Sequence, residues 1–370
     1  MFNAKSQNVV HLPAFDDKQT PSSSSVFDLA NAFGIEELHF KNDPATGLKA
    51  IVAIHSTCRG PALGGSRCMS YANEYEAIND VVQLARGMSY KSAFADLPFG
   101  GGKAVLIRPH QIEDINAYFE SYGKFIDTLN GRFITAVDVG TTVADMDKIS
   151  HQTRYVLSTS SSNGDPSKYT AKGVFYGIKA AVNAHLKRKS LQGLRVAIQG
   201  VGKVGFQLAQ YLHQEGAILT ITDSNQKALQ YCASLFSAQS VSTEQIFSVN
   251  CDVLSPCALG GSINEVTLNQ LKARIICGAA NNQLASNQIG DMLYQKEIFF
   301  VPDYVVNVGG LIHVVMESES SAHKKVSQIY DAVIDIYKRS MKSQQPSHRI
   351  ADRIAEQILS DSSKISQSCY

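Results

Sequence analysis

The sequence predicts a two-domain α/β protein, with a mixed sheet in the first half, a parallel doubly wound sheet in the second, and a cleft between them. Three observations carry this. The chain has 370 residues, which exceeds one ordinary hydrophobic core. Apolar strand-like runs alternate with helical periodicity along both halves. A glycine-rich G-x-G-x-x-G turn joins one such strand to one such helix in the second half.

In chain order, residues 1–25 end in Thr20-Pro21 and four serines, show no sustained periodicity, and read as a mobile tail. Leu48 to His55 is an apolar, β-branched strand after the turn-like Asn42-Asp43-Pro44-Ala45-Thr46-Gly47. Glu74 to Ala95 is a helix, with Ile78, Val81, Val82, Ala85 and Met88 at helical spacing. A strand at Ala104–Arg108 follows a glycine-rich turn, a helix covers about Ile112 to Leu129, and a strand runs Arg132 to Val139. In the second half, helix Ala171–Arg188 leads to strand Arg195–Gln199, helix Lys203–Gln214, strand Ala217–Asp223 and helix Gln226–Phe236. Strands are expected at Asp252–Ser255, Arg274–Cys277 and Ile298–Val301, then helices near Lys325–Met341 and His348–Leu359. The strand–helix alternation from Arg195 onward indicates a parallel sheet.

Composition excludes several function classes. With 34 basic and 33 acidic residues the net charge is +1, so no basic excess offers itself to a polyanion and no nucleic-acid partner is expected. No apolar run approaches the roughly 20 residues that span a bilayer, so no membrane partner is expected either. No signal peptide is visible at the N-terminus. The seven cysteines form no CxxC pair, and no histidine stands at ligand spacing from them. They read as reduced thiols of a cytoplasmic protein, with no metal site.

The segment Arg195-Val-Ala-Ile-Gln-Gly200-Val-Gly202-Lys203-Val204-Gly205 is a short apolar strand entering the glycine turn. The glycines permit close approach of backbone to a pyrophosphate, and the following helix offers free N–H groups and a positive dipole end. Asp223 ends the next strand, where a carboxylate accepts from ribose hydroxyls and repels a 2′-phosphate; no arginine follows it. The second half is therefore expected to be a Rossmann domain binding NAD rather than NADP.

A second glycine cluster, Gly100-Gly101-Gly102, precedes Lys103, and Lys91 lies twelve residues upstream near the end of the long helix. Asp138 follows an apolar strand and sits beside Gly140. Singly, each has a bland reading: two solvated lysines and a helix-capping aspartate.

Together these residues resemble the glutamate/leucine/phenylalanine/valine dehydrogenase family, and within it the leucine dehydrogenases. The resemblance spans nearly all of residues 26–360. It rests on Gly60-Pro-Ala-Leu-Gly-Gly-Ser-Arg67, Gly87-Met-Ser-Tyr-Lys91, Gly100-Gly-Gly-Lys103 and Asp138-Val-Gly-Thr141. It continues through Gly200–Gly205, Pro256-Cys-Ala-Leu-Gly260, Gly278-Ala-Ala-Asn-Asn-Gln283 and Pro302-Asp-Tyr-Val-Val-Asn-Val-Gly-Gly310.

The resemblance implies that residues 26–162, completed by a C-terminal helix at about 343–370, form a substrate and oligomerisation domain, and that 163–342 bind NAD. It implies that Lys91 binds the substrate carboxylate, Lys103 activates water, and Asp138 handles the proton at the amino nitrogen. Elementary chemistry agrees: a buried lysine near another ammonium has a lowered pKa and can serve as a base, and as an ammonium it stabilises a developing carbinolamine oxygen. Thr170 and Asn281 are implied at the nicotinamide end, Ala258 elsewhere along the cofactor, and Asn307 beneath the ring. Leu63, Gly64, Ala136, Leu311 and Val314 match the substrate pocket. Glutamate dehydrogenases carry a lysine where this chain has Leu63, so a distal carboxylate here would bury an unpaired charge. The implied reaction is reversible oxidative deamination of leucine, valine or isoleucine to a 2-oxo acid and ammonia. The alternatives are an aromatic amino-acid dehydrogenase acting on phenylalanine or tryptophan and, more remotely, a silent NAD-binding sensor or assembly subunit. A homo-oligomer is implied, an octamer ahead of a dimer, and closure of the cleft on ligand binding is expected. Arg59, Val137 and His313 depart from the family pattern, and His313 could enlarge or polarise the pocket wall.

Overall fold

The computed structural model describes residues 25–161, 165–316 and 318–367. The expected tail lies outside these residues except for Ser25, which caps the first helix: its side chain accepts from Asp28 N, and Asp28 reciprocates.

The first half runs α1 Val26–Phe33, β1 Glu37–Asp43, β2 Leu48–Ser56, β3 Ala62–Met69, α2 Glu74–Phe94, β4 Gly100–Ile107, α3 Ile115–Thr128, β5 Phe133–Val137 and α4 Val143–Ser150. Its five strands lie in the order β1-β2-β4-β3-β5. β1, β2 and β4 pair antiparallel, whereas β3 pairs parallel with both β4 and β5, so the sheet is mixed as expected. Alternation along β2 and β4 serves two layers. Ile51, Ala53 and Val105 meet Val81, Val82 and Ala85 of α2 on one face. Val52, Ile54 and Leu106 meet Tyr118, Tyr122, Ile126 and Met146 on the other.

One expectation is corrected here. The glycines before Lys103 are not a turn but the start of β4, paired with β3 from Ala62↔Gly100 onward. A Cβ on Gly101 would collide with the Ser89 backbone of α2, and one on Gly100 with the Ser56 carbonyl. The bare strand lets α2 lie directly on the sheet. The same substitution of space for side chains hides β3, whose Gly64 and Gly65 weaken the strand pattern in the sequence.

The second half runs α5 Ser167–Leu186, β6 Arg195–Gln199, α6 Lys203–Gln214, β7 Ile218–Thr222, α7 Gln226–Phe236, β8 Gln239–Ser240, β9 Val253–Pro256, α8 Glu265–Leu268, β10 Ile275–Ile276, α9 Asn287–Gln295 and β11 Phe299–Phe300. The six strands order as β11-β10-β9-β6-β7-β8, every pairing parallel. This is the doubly wound Rossmann arrangement. After it come α10 Asp303–Val306, α11 Gly309–Val315, α12 Glu319–Ser327, α13 Ile329–Ser343 and α14 Ser347–Gln367. The single helix expected near Lys325–Met341 is therefore two, separated at Gln328. The last helix packs back on the first half: Glu356 accepts from Tyr90 OH at 2.8 Å and pairs with Arg86 at 3.2 Å. It also contacts α9 and α13, and so bridges the halves. Among the described residues no helix is long and apolar enough to cross a membrane.

Candidate active site

Strands β3, β4 and β5 are neighbours, and the first halves of β3 and β4 with the end of β5 bring three distant sequence motifs together. Leu63 pairs with Gly101 and Ile134, Gly65 pairs with Ala136, and Asp138 follows one residue beyond β5. The second half approaches this edge with α5, the loop around Asn281, and α10–α11. A cavity of about 250 Å³ lies between. The first half lines it with Leu63, Gly64, Gly65, Met88, Lys91, Lys103, Ala136, Val137, Asp138 and Ser158. The second half contributes Pro166, Thr170, Asn281, Asn307, Gly310, Leu311 and Val314. Every residue expected on the sequence to catalyse or to hold substrate is thus in one cavity, together with Thr170 and Asn281.

At its centre Lys103 Nζ lies 2.7 Å from Asp138 Oδ2, both side chains largely buried. Gly65 makes room for this pair, because a Cβ there would stand 2.7 Å from Asp138 Cβ and 3.3 Å from Lys103 Nζ. Burial alone would raise the Asp138 pKa; the charges of Lys103 and then Arg67 outweigh it and hold the carboxyl well below the usual carboxylate range.

Lys91 sits in the last turns of α2 and donates to Asn281 Oδ1 at 2.8 Å, a contact across the cleft. Burial pushes its pKa down to about 8; Asp303 opposes that and Lys103 adds to it. Asn307 Nδ2 donates to the same Asn281 oxygen at 2.9 Å and to Ala279 O at 3.1 Å. That leaves the buried Asn307 Oδ1 without a partner among the described residues. A buried acceptor left open beside a lysine pair suits a ligand that brings N–H groups.

The glycine turn lies outside this cavity, at the end of β6. Gly200 has φ 93°, in the region that favours glycine, and Gly202 caps α6 with no side chain on the helix N–H groups. A Cβ on Gly205 would collide with Gly200 O, and one on Gly200 would stand 2.9 Å from Ala258 Cβ, so helix, turn and β9 loop meet backbone to backbone. Asp223 accepts from Val201 N and Asn225 N, each at 2.7 Å, which fixes the carboxylate at the mouth of the turn. Lys203 is exposed and pairs with Asp165 at 3.4 Å, while Val204 packs against the Rossmann core. Open N–H groups, a close-approach turn and a fixed acceptor fit a dinucleotide.

Sequence reasoning did not assign a role to Arg67, Asp80 or Tyr71, which lie behind the Lys103–Asp138 pair. Arg67 belongs to a recognised motif, and a guanidinium inside a strand of small residues was the available signal. Of the three departures from the family pattern, Val137 lines the cavity. His313 does not: it is buried and stacked on Tyr169, ring centroids 4.1 Å apart at 9°. Arg59 ties α14 down, donating to Leu97 O and Ser362 Oγ, each at 3.1 Å, and pairing with Asp96 at 2.8 Å.

Residues 36–155 match the description Glu/Leu/Phe/Val dehydrogenase, dimerisation domain; residues 162–231 and 224–353 match Glutamate/Leucine/Phenylalanine/Valine dehydrogenase. The chain belongs to this family. The dehydrogenase is 45% identical over 339 residues to a leucine dehydrogenase of Geobacillus stearothermophilus, covering 90% of this chain and 92% of that one. It is 41% identical over 346 residues to an L-tryptophan dehydrogenase of Nostoc punctiforme, covering 92% and 97%. A crystal structure of L-tryptophan dehydrogenase from Nostoc punctiforme superposes with a TM-score of 0.80 at 40% identity, over 91% of this chain and 99% of that one. The protein is an amino-acid dehydrogenase, an oxidoreductase whose chemistry is that of a nicotinamide-dependent family.

Proposed function

We propose that this dehydrogenase carries out NAD-dependent, reversible oxidative deamination of a branched-chain L-amino acid, namely leucine, valine or isoleucine. Products are the 2-oxo acid and ammonia. The observation that carries the reading is a single cavity in which Lys91, Lys103 and Asp138 share walls with the apolar Leu63, Ala136, Leu311 and Val314.

The Lys91 ammonium binds the substrate carboxylate, and the open Asn307 Oδ1 accepts from the substrate ammonium. Asp138 takes a proton from that nitrogen as hydride leaves Cα and an imine forms. Lys103 removes a proton from the water that attacks the imine carbon, then stabilises the carbinolamine oxygen as its ammonium. Asp138 returns a proton to the nitrogen; the C–N bond then breaks as the carbinolamine hydroxyl gives its proton to the Asp138 carboxylate, leaving the 2-oxo acid and ammonia. The apolar walls hold the aliphatic side chain, where a distal carboxylate would meet no partner.

Gly200, Gly202, Lys203, Val204 and Gly205 would cradle the pyrophosphate of NAD, Asp223 its adenosine ribose, Ala258 the stretch beside the turn, and Thr170 and Asn281 its nicotinamide end. Bound there, NAD supplies the hydride acceptor. Residues 26–162 with the C-terminal helix form the substrate half and 163–342 the NAD half; the packing of α14 on α2 supports that division. The match to a dimerisation domain supports a homo-oligomer, with an octamer ahead of a dimer, and the cytoplasm is its place of action.

The test is turnover of leucine, valine, isoleucine, phenylalanine, tryptophan and glutamate, followed by NADH absorbance at alkaline pH with NAD or NADP. The three aliphatic substrates should lead. Turnover of the aromatic pair alone, in line with the L-tryptophan dehydrogenase relative, would overturn the substrate assignment.

A further inference from the structure

Behind the catalytic pair, facing away from the cavity, stands a second layer of charge. Arg67, on β3, reaches Asp138 Oδ2 with Nε at 3.3 Å. Its Nη1 grips both oxygens of Asp80 on α2, at 3.1 Å and 2.9 Å. Tyr71 OH donates to the same carboxylate at 2.7 Å. Arg67 and Asp80 are 9% and 5% exposed, so water does little to screen them.

We propose that Arg67 and Asp80 are a positioning pair for the reaction: Arg67 aims the Asp138 carboxylate, and Asp80 fixes Arg67 and offsets part of the charge it presents to Asp138. This rests on the assignment of Asp138 as the proton-handling group. A carboxylate facing two uncompensated cations would be held ionised and would make a poor proton acceptor. Asp80 lessens that difficulty by drawing guanidinium charge toward α2, and the two-point contact fixes the fork whose remaining N–H aims Asp138. The groups facing the centre come from several elements: Lys103 from β4, Lys91 from α2, Arg67 from β3 and Asp303 from α10, with Tyr71 and Asp80 behind.

The sign of the effect follows. Removing the negative charge of Asp80 leaves Arg67 uncompensated and adds positive field at Asp138, Lys103 and Lys91. Positive field added at this centre favours loss of its protons at lower pH. In the deamination direction the rising limb of activity should move to lower pH by about one unit, the size of a partly screened charge at this range.

The experiment records kcat and kcat/KM against pH for the purified enzyme, the Asp80→Asn variant and the Arg67→Met/Asp80→Asn double variant, with thermal midpoints alongside. Asp80→Asn keeps the shape and a hydrogen-bond acceptor, and should shift the limb while lowering kcat about tenfold and leaving KM, compared at or below pH 7, within about threefold. The double variant lacks both charges; its limb should return to within a few tenths of a unit of the parent, while kcat stays low. A limb that does not move in Asp80→Asn, or that stays shifted in the double variant, would overturn the proposal. Should Asp80→Asn not fold, Arg67→Lys decides: it keeps the charge but not the two-point grip, and parent-like kcat there refutes the positioning role. Failure of the underlying reading looks different, since Asp138→Asn would then retain the parent's activity.

Discussion

Substituting Leu63 by lysine tests the substrate pocket at its most discriminating position. Leu63 is 1% exposed, lines the cavity and pairs with Gly101 on β4. Lys103 stands two residues further along that strand, on the same face. Such diagonal neighbours lie about 7–8 Å apart, and two ammonium groups at that range repel by about 2 kcal/mol at an effective dielectric near 20. A leucine side chain in the substrate would also lose an apolar wall, worth about 1–3 kcal/mol. The sum is about 3–5 kcal/mol, so kcat/KM for leucine should fall by about 10²–10⁴ in Leu63→Lys. Glutamate reverses the account, because its distal carboxylate would neutralise the introduced ammonium. The assay is initial-rate NADH formation with leucine and with glutamate, alongside a thermal midpoint to show that the variant folds. A folded Leu63→Lys enzyme that keeps leucine turnover within threefold of the parent, with no gain on glutamate, would refute the reasoning about this wall.

Other expectations follow from the same geometry. Lys103→Ala should lower kcat by about 10²–10⁴ while NAD binding, followed by fluorescence titration, is retained. Because burial brings Lys91 down to about 8, its ammonium is present below that pH and lost above it; KM for the 2-oxo acid should therefore be flat below pH 8 and rise about tenfold per unit above. Asp223→Ser removes the acceptor at the mouth of the glycine turn and should narrow the ratio of kcat/KM for NAD over NADP at least tenfold, measured side by side. Gly101→Ala would drive a methyl into the Ser89 backbone and should destabilise by about 1–3 kcal/mol, read as a lower denaturation midpoint.

Much of the Rossmann half was readable, because its strands other than the polar β8 are short apolar runs and its longer helices are amphipathic, whereas β8, α8 and α9 were not expected. β6, α6 and α7 fall at the residues expected. The substrate half was less legible for a physical reason. Its most important strands, β3 and β4, are built from glycine where helix α2 and the Lys103–Asp138 pair need the space, so the residues that make the site erase the strand signal. Short α10 and α11 were also unread, since Val305 to Gly310 shows no period long enough to declare a helix. The cavity residues themselves were legible through motif resemblance, not through pattern. Arg67, Asp80 and Tyr71 were not assigned because their importance lies in what they touch, a relation between β3, α2 and the segment joining them that no local spacing records.

The depth of that charge layer also bears on how the cleft works. Lys91 reaches Asn281 in the other half, and Asn281 in turn holds Asn307. The lysine proposed to bind the carboxylate, the residue expected at the nicotinamide, and the residue expected under the ring thus form one chain of hydrogen bonds across the domain junction. A substrate carboxylate arriving at Lys91 draws on the same ammonium that holds the Asn281 oxygen, and loosening that contact would free the oxygen for a carboxamide or ribose donor. Substrate and cofactor binding would then be coupled through the contact that both draw on. Such coupling requires the two walls to be close before either ligand enters, and the 2.8 Å contact between them supplies that.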